Sequence, residues 1–588
     1  MKYWRSMVIC CLLLASVGLQ AQDAVLRAMQ DEMQRSMKKL RLEQMELPYF
    51  ISYKVTDTDS REASASFGSL LSSSENHSRM LSVEVRVGDY ALDNSNFLSF
   101  QFGGSGVATR MFGGTVQVPM DDNYDELRRQ IWLATDGAYK KALEDLSGKR
   151  SALQNKSRAD NVPDFSKEKP SSITDILPAA EVDLRQAEHL TQTLSANFRQ
   201  IPAVQNSRVR FFAVNTLERY INSEGSTFTR RIPFVSLTVV ADTQGSDGMP
   251  LNDFFAAYGH SIKELPSEAQ LAAEVRAIGD RLTRLQSAPV EERYNGPVMF
   301  EGEAAAEVIA QSFARKLPAM PATISSNPQF SGFGQQSNPL LDKIDARVLP
   351  EFLSLVDNPT ATQAEDHPLI GSYKVDEEGT PARETKVVEN GYLKTVLTGR
   401  APVRGVLQST GNQRERGVAP SNLFLVAQKS SSPEELKTRF LDIVKRRGKT
   451  YGIAIRRLGD PSFRPSDPDF MALIMPRQTQ EDRLEPAILA YRVYLDGHEE
   501  LIRNAGVSGL SLESLKDIVA VANTRTVYAA PFSSRSASPM LGMVSPFSST
   551  TVVSYIVPSS LLFEELAVQK PSGEIPKPPV SKHPYFDK

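Results

Sequence analysis

Cysteine occurs only twice in the 588 residues, as Cys10 and Cys11, so everything beyond them must fold without a disulfide or a thiolate metal ligand. Such a chain depends on its apolar core. Hydrophobic residues make up 41% of it and charged residues 23%, the balance of a soluble globular protein. The two cysteines sit in a segment with a pattern of its own. Lys2 and Arg5 form a basic lead, Met7 to Val17 is an apolar run, and Leu19-Gln20-Ala21 ends in a small residue ahead of Gln22-Asp23. That order reads as a cleaved secretory signal over residues 1–21. The apolar run falls short of the roughly 20 residues that a membrane span requires. The expected mature chain is exported, periplasmic or secreted, free of thiols, and without a membrane span once the signal is removed. Lys plus Arg number 67 against 70 Asp plus Glu, so there is no basic field to hold a phosphate backbone, and nucleic acid is not an expected partner.

Hydrophobic periodicity divides the rest. Asp23 to Gln44 reads as a helix with a methionine stripe that serves packing. Tyr49 to Asp57, Arg61 to Gly68 and Met80 to Val87 read as three strands of an antiparallel sheet. A helix is predicted over Tyr124 to Leu146 with Gly148 as its C-cap. Further helices are predicted over Ala180 to Phe198 and Ser267 to Gln286, with strands Val209 to Ile221 and Ser226 to Ala241 between them. Beyond Pro289, a short Ala-rich helix from Glu303 to Leu317 precedes many short apolar runs. Among these, Glu389-Asn390-Gly391 marks a hairpin. The expected fold class is α+β, with N-terminal helices and antiparallel sheet followed by a large β-rich domain. The expected layout is an N-terminal α+β region at 22–150, an exposed linker at 151–178, a second α+β region at 179–290, the β-rich domain at 291–570 and a disordered tail at 571–588.

Catalytic signatures are sparse. No nucleophile elbow, Walker loop or dinucleotide fingerprint is present, and the glycines at 103–106 and 113–114 read as turns. The six histidines are far apart in sequence, and His498-Glu499-Glu500 is followed by Ile502 where a metal motif would need a second histidine.

One set of segments is more informative. The Ala-rich helix Ala304 to Gln311 is followed in order by Lys374-Val375-Asp376-Glu377-Glu378-Gly379-Thr380-Pro381, Glu389 to Lys394, and Ser409-Thr410-Gly411-Asn412-Gln413-Arg414. Leu515 to Asn523 and Val557 to Leu566 complete the series. From Gly296 onward this order resembles the C-terminal domain of the TldD/TldE (PmbA) family of zinc peptidases and their inactive partners. The chain looks like an exported subgroup with a degenerate metal motif. The resemblance implies a helix carrying H-E-x-x-x-H, with both histidines and a late cysteine binding zinc and the glutamate acting as general base. It also implies a cleft for an extended peptide, and a dimer of active and inactive subunits.

Here the histidine positions fall on Ala306 and Gln311, the glutamate on Glu307, and the cysteine is missing. Zinc lowers the pKa of its water from about 15.7 to about 7, whereas a free Glu titrates near about 4.3. Without metal, Glu307 faces a gap of about 11 units, on the order of 15 kcal/mol, which one carboxylate cannot bridge. Glu307 therefore reads as a vestige or a structural acceptor, and no cofactor is expected, zinc entering only if that reading fails. Glu301, Glu303 and Glu307 could in principle hold a hard cation, but acidic residues at a helix start are better explained by its dipole. The expected function is a pseudoenzyme of peptide processing. It would bind an extended peptide or unfolded segment and pair with a TldD-like catalytic paralogue or with itself. Two alternatives are an active metal-dependent peptidase using His367 or His498 with Glu365, Asp366, Asp496 or Glu499, and a cell-envelope scaffold that binds peptides.

Overall fold

The structure is a computed structural model and describes residues 23–98, 115–154, 161–325, 338–414, 417–463, 484–532, 551–571, 575–581 and 583–587. The signal segment and the glycines at 103–106 and 113–114 lie outside the described residues.

Helix α1 (Ala24–Lys39) starts where the Asp23 carboxylate accepts the backbone N–H groups of Val25 and Leu26, at 2.9 and 3.2 Å. Val25, Met29 and Met33 enter the core, while Met37 and Met45 stay exposed. The next two elements are longer than their patterns suggested. β1 (Pro48–Ser66) and β2 (Ser69–Val87) form one hairpin, turned at Phe67 and Gly68 with positive φ. The polar stretch around Asp57 is not a break, because Asp57 bonds Arg79 on β2 and Arg219 on a neighbouring strand.

β3 (Thr115–Gln117) leads into α2 (Tyr124–Gln154), which runs through Gly148. Gly148 is not a cap: a Cβ there would stand 2.7 Å from the Phe97 ring, so the glycine admits a close approach. Then follow β4 (Ser172–Ile176), α3 (Leu184–Ala196), β5 (Asn206–Asn222), β6 (Thr227–Gln244), β7 (Pro250–Gly259) and α4 (Glu268–Ser287). The sheet order is β3-β2-β1-β5-β6-β4, with β7 also on β6. β1 pairs with β5 from Ser52↔Asn222 to Ala65↔Val209. One sheet therefore unites the two N-terminal α+β regions.

The C-terminal part contains β8 (Arg293–Glu301), α5 (Glu303–Ser312), β9 (Leu353–Asp357), β10 (Thr385–Glu389), β11 (Tyr392–Leu393), β12 (Asn422–Ala427) and α6 (Pro433–Arg446). It continues with β13 (Tyr451–Leu458), β14 (Ala487–Tyr494), β15 (Glu499–Ile502), β16 (Gly506–Ser508) and β17 (Ile518–Val521). β18 (Arg525–Pro531), β19 (Val552–Pro558) and β20 (Ser560–Gln569) follow. One sheet runs β11-β10-β9-β12-β19-β18 and the other β15-β14-β13-β8-β20-β16, with β17 on β20. Asn390 and Gly391 turn the β10–β11 hairpin with φ of 51° and 83°, the positive values that such a turn demands. The fold class is α+β as expected. No helix among the described residues is long and apolar enough to cross a membrane.

Among the described residues of the expected linker at 151–178, not all are exposed. α2 occupies the segment's start and β4 its end, and between them Asp164, Phe165 and Ser166 are buried. The Lys149 ammonium meets the Asp164 carboxylate at 2.6 Å, and the Phe165 ring lies between the guanidinium groups of Arg86 and Arg400, at 3.7 and 3.9 Å. Two of the charges that suggested a solvated connection, Lys149 and Asp164, form a buried pair instead. Among the described residues of the tail, the Pro576 carbonyl lies beside Gly248, and the His583 ring packs on Phe67 with centroids 5.1 Å apart.

Arg400 is the clearest junction. It is 1% exposed, donates to the Ser166 carbonyl at 2.6 Å and meets Glu224 at 2.7 Å. Removing one member of a buried pair costs roughly 3–5 kcal/mol. Arg400→Ala is therefore expected to lower the urea midpoint by a shift worth about 3 kcal/mol. A midpoint within about 0.5 kcal/mol of the parent would refute the clasp.

Candidate functional site

The site is built on α5. After β8 the chain turns at Gly302, with φ of 59°, and enters the helix at Glu303. Alanines at 304, 305, 306 and 310 keep the helix narrow, and every residue from Ala304 to Ala310 is buried. A helix of that composition belongs inside a core. It packs against β8 and β13 of one sheet and β18 and β19 of the other.

The three motif positions are all engaged. Ala306 is fully buried and offers no donor atom. The Gln311 carboxamide donates from Nε2 to the Gly459 carbonyl at 2.7 Å and accepts the Glu485 N–H on Oε1 at 2.9 Å. Glu307 is 1% exposed; its Oε2 accepts the Leu458 N–H at 2.6 Å, and the Tyr528 hydroxyl donates to Oε1 at 3.1 Å. Burial, reinforced by the charge of Glu303 and opposed by that of Arg457 and by the Leu458 N–H, pushes its carboxyl well above the ordinary range. With both oxygens already accepting hydrogen bonds, the carboxyl has no free oxygen directed at a water or a metal.

Charged groups surround it in pairs. Glu303 meets Arg457 at 2.9 Å and Glu301 meets Arg456 at 2.8 Å, so the acidic cluster at the helix start is neutralised by arginines. Arg457 lies 3.6 Å from Asp253 of β7, which also takes Arg281 of α4 at 2.5 Å. The Tyr258 hydroxyl, Arg457 Nε and Arg281 Nη2 are buried without a hydrogen-bond partner among the described residues. Burial also raises the Asp460 carboxyl. Arg457, Tyr528, Asp253 and Tyr258 were not foreseen. The one signal was the pair Arg456-Arg457 inside an otherwise apolar strand.

Zinc does not fit this donor set. Ala306 has no ligand atom, both ends of the Gln311 amide are occupied, and a cysteine thiolate is missing beyond residue 11. The alternative histidines do not assemble either. His367 is exposed on the short strand His367–Pro368, its Nδ1 2.6 Å from the Glu365 carbonyl, and His498 stacks on Tyr494. Neither joins a group of three close ligand atoms among the described residues. The group that does form is Asp59, Glu75 and His77 on the β1–β2 hairpin, where Arg61 already bonds both carboxylates at 2.9 and 2.6 Å.

The other matching segments form a second centre. Asp376 folds the loop 376–380 by accepting the N–H groups of Glu378 and Thr380 at 2.9 and 2.8 Å, and that of Gln413 at 3.3 Å. Burial and the neighbouring Glu378 raise its carboxyl to about 8. Asn412 donates to Asp357 at 2.7 Å. Glu377 reaches the N-terminal sheet, meeting Lys54 at 2.6 Å and also Arg230. These motifs join the two halves of the molecule.

The profile of the PmbA/TldA metallopeptidase C-terminal domain matches residues 292–457. A metalloprotease of Methanocaldococcus jannaschii is 36% identical over 97 residues, 16% of this chain. That match spans only about a fifth (20%) of the relative's length. Among solved structures, TldE from Thermococcus kodakarensis aligns with a TM-score of 0.56 and 14% identity over 92% of this chain and 99% of its own. A putative modulator of DNA gyrase from Thermotoga maritima gives 0.55 and 17% over 88% and 96%. A similar protein from Bacteroides thetaiotaomicron gives 0.55 and 12% over 93% and 98%. At these identities the structural matches establish a shared fold.

The raised carboxyl of Glu307 has a thermodynamic consequence. A group whose folded pKa exceeds its unfolded value, near about 4.3, contributes stability below that value and loses it as pH rises toward the folded pKa. Asp376, raised to about 8, acts in the same direction. The protein is expected to be less stable at pH 8 than at pH 5. Glu307→Gln keeps the shape and removes the titration, so it should flatten that slope while costing under about 1.5 kcal/mol at pH 5. Denaturation at the two pH values checks this, and an unchanged slope in the variant would show that Glu307 is ionised in the fold.

Proposed function

For a chain that belongs with the TldD/TldE (PmbA) family and carries its C-terminal domain at residues 292–457, we propose a non-catalytic role in peptide processing. It acts as an exported pseudoenzyme that holds an extended peptide or unfolded segment and serves a TldD-like catalytic paralogue, or a second copy of itself, as partner. The single observation that carries this reading is the chemistry at the three motif positions. Ala306 has no ligand atom, the Gln311 amide is consumed at both ends, and both oxygens of the buried Glu307 carboxyl already accept hydrogen bonds. Such a helix cannot lower the pKa of a water molecule, and amide hydrolysis of this kind depends on that step. The surrounding sheets are retained, and extended peptides recognise sheet edges through main-chain hydrogen bonds rather than through a metal. The signal-like residues 1–21 and the confinement of cysteine to them support export to the periplasm or beyond.

Purified full-length protein is expected to hold zinc at well below one equivalent by elemental analysis. It is also expected to cleave unfolded casein no faster with added zinc than with a chelator. One equivalent of zinc together with chelator-sensitive cleavage would contradict the proposal outright.

A further inference from the structure

A pocket of about 290 Å³, with no residue of α5 in its lining, lies between the N-terminal sheet and the loops 376–380 and 409–414. Its walls include Ser52, Lys54, Glu84, Glu378, Gln413 and Arg414. Most of the charges around it cancel. Lys54 meets Glu377 at 2.6 Å, and Arg230 bonds both Glu377 and Glu218, so those four residues close on themselves.

Two carboxylates are left in excess. Glu84 meets Arg86 at 2.7 Å, but Arg86 also serves Asp93 at 2.8 Å. Glu378 accepts the Arg400 backbone N–H at 2.6 Å, while the guanidinium of Arg400 is committed to Glu224 at 2.7 Å. Glu378 is held above its usual range first by burial and then by the charge of Glu84, so the two carboxylates repel one another across the pocket. One guanidinium, whose charge also acts on Asp357 and Glu377, keeps an unbonded nitrogen. Arg414 lies over the Tyr373 ring at 4.2 Å, and its buried Nη1 has no hydrogen-bond partner among the described residues.

A simple anion is repelled by the two glutamates, and a simple cation leaves Arg414 unanswered. We propose that this pocket binds a small zwitterion, a free amino acid or a dipeptide, with its ammonium group at Glu84 and Glu378 and its carboxylate on Arg414. The Ser52 hydroxyl, which donates to Glu84 at 3.4 Å, and the Gln413 amide, which donates to the Arg414 carbonyl at 3.4 Å, also line the pocket. The Glu84 side chain is 42% exposed, so the ammonium subsite is open to solvent. Bidentate guanidinium recognition is the usual mode for a carboxylate of this kind.

Calorimetric titration of the full-length protein with L-alanine and with L-alanyl-L-alanine tests the proposal, and the two ligands separate the amino-acid and dipeptide sources. At least one should bind, and its N-acetyl and C-amide derivatives should bind at least about tenfold more weakly, as loss of one charge-assisted hydrogen bond implies. Arg414→Gln and Glu84→Gln should each weaken binding by a similar factor while leaving the thermal midpoint close to that of the parent. No saturable binding of either ligand overturns the proposal, as does equal affinity for the blocked derivatives or unchanged affinity in a folded Arg414→Gln variant. The pocket shares no residue with α5, so a zinc-dependent peptidase activity would leave this result unaffected and failure here would not restore a catalytic role.

Discussion

The C-terminal domain holds the Glu307 carboxyl at the centre of a helix whose residues Ala304 to Ala310 are all buried. Burying a carboxyl is costly unless it is hydrogen-bonded or paired, and here burial raises it while the Arg457 charge and the Leu458 N–H oppose the rise. The Leu458 N–H and the Tyr528 hydroxyl supply the partners, one from each sheet. Gln311 repeats the device one turn later, bridging Gly459 and Glu485. The helix is thereby tied to both walls of the core by side chains at positions where the family's resemblance implies chemistry. What would be a reactive centre is here a structural knot.

A second set of polar contacts holds the two halves together. Arg230, Glu218, Lys54 and Glu377 form a closed quartet between the N-terminal sheet and the loop at 376–380. Arg400 reaches from the C-terminal half into a slot made by Phe50, Phe165 and Glu224. Isolated surface ion pairs contribute little, but these are buried and hydrogen-bonded, so each is costly to break singly. The same motifs that carry the family resemblance therefore serve the junction, and their surplus charges shape the polar pocket beside it.

The sequence made much of this legible. Helix α5, the Asn390-Gly391 hairpin, the strands flanking Asn222 to Gly225 and the α+β class all follow from periodicity and turn chemistry. The long β1–β2 hairpin did not, because Asp57 and its neighbours look like a turn until Arg79 and Arg219 are known to face them. Residues 151–178 misled for the same reason: a charge reads as solvent-facing in a sequence, and Lys149 and Asp164 are buried as a pair. The positions Ala306, Glu307 and Gln311 were singled out from the sequence, but the groups that Glu307 and Gln311 bond were not. Leu458, Gly459 and Glu485 act through backbone atoms, and Tyr528 lies 221 positions from Glu307. No local pattern encodes such contacts.

The protonation of Glu307 is open to direct measurement. Infrared difference spectra between the parent and a Glu307→Gln variant at pH 7 isolate the vibration of that one carboxyl. The account requires a protonated carbonyl band that disappears in the variant. A carboxylate band in its place would mean that the centre of α5 is charged, and the description of the site as an inert, neutral knot would fail.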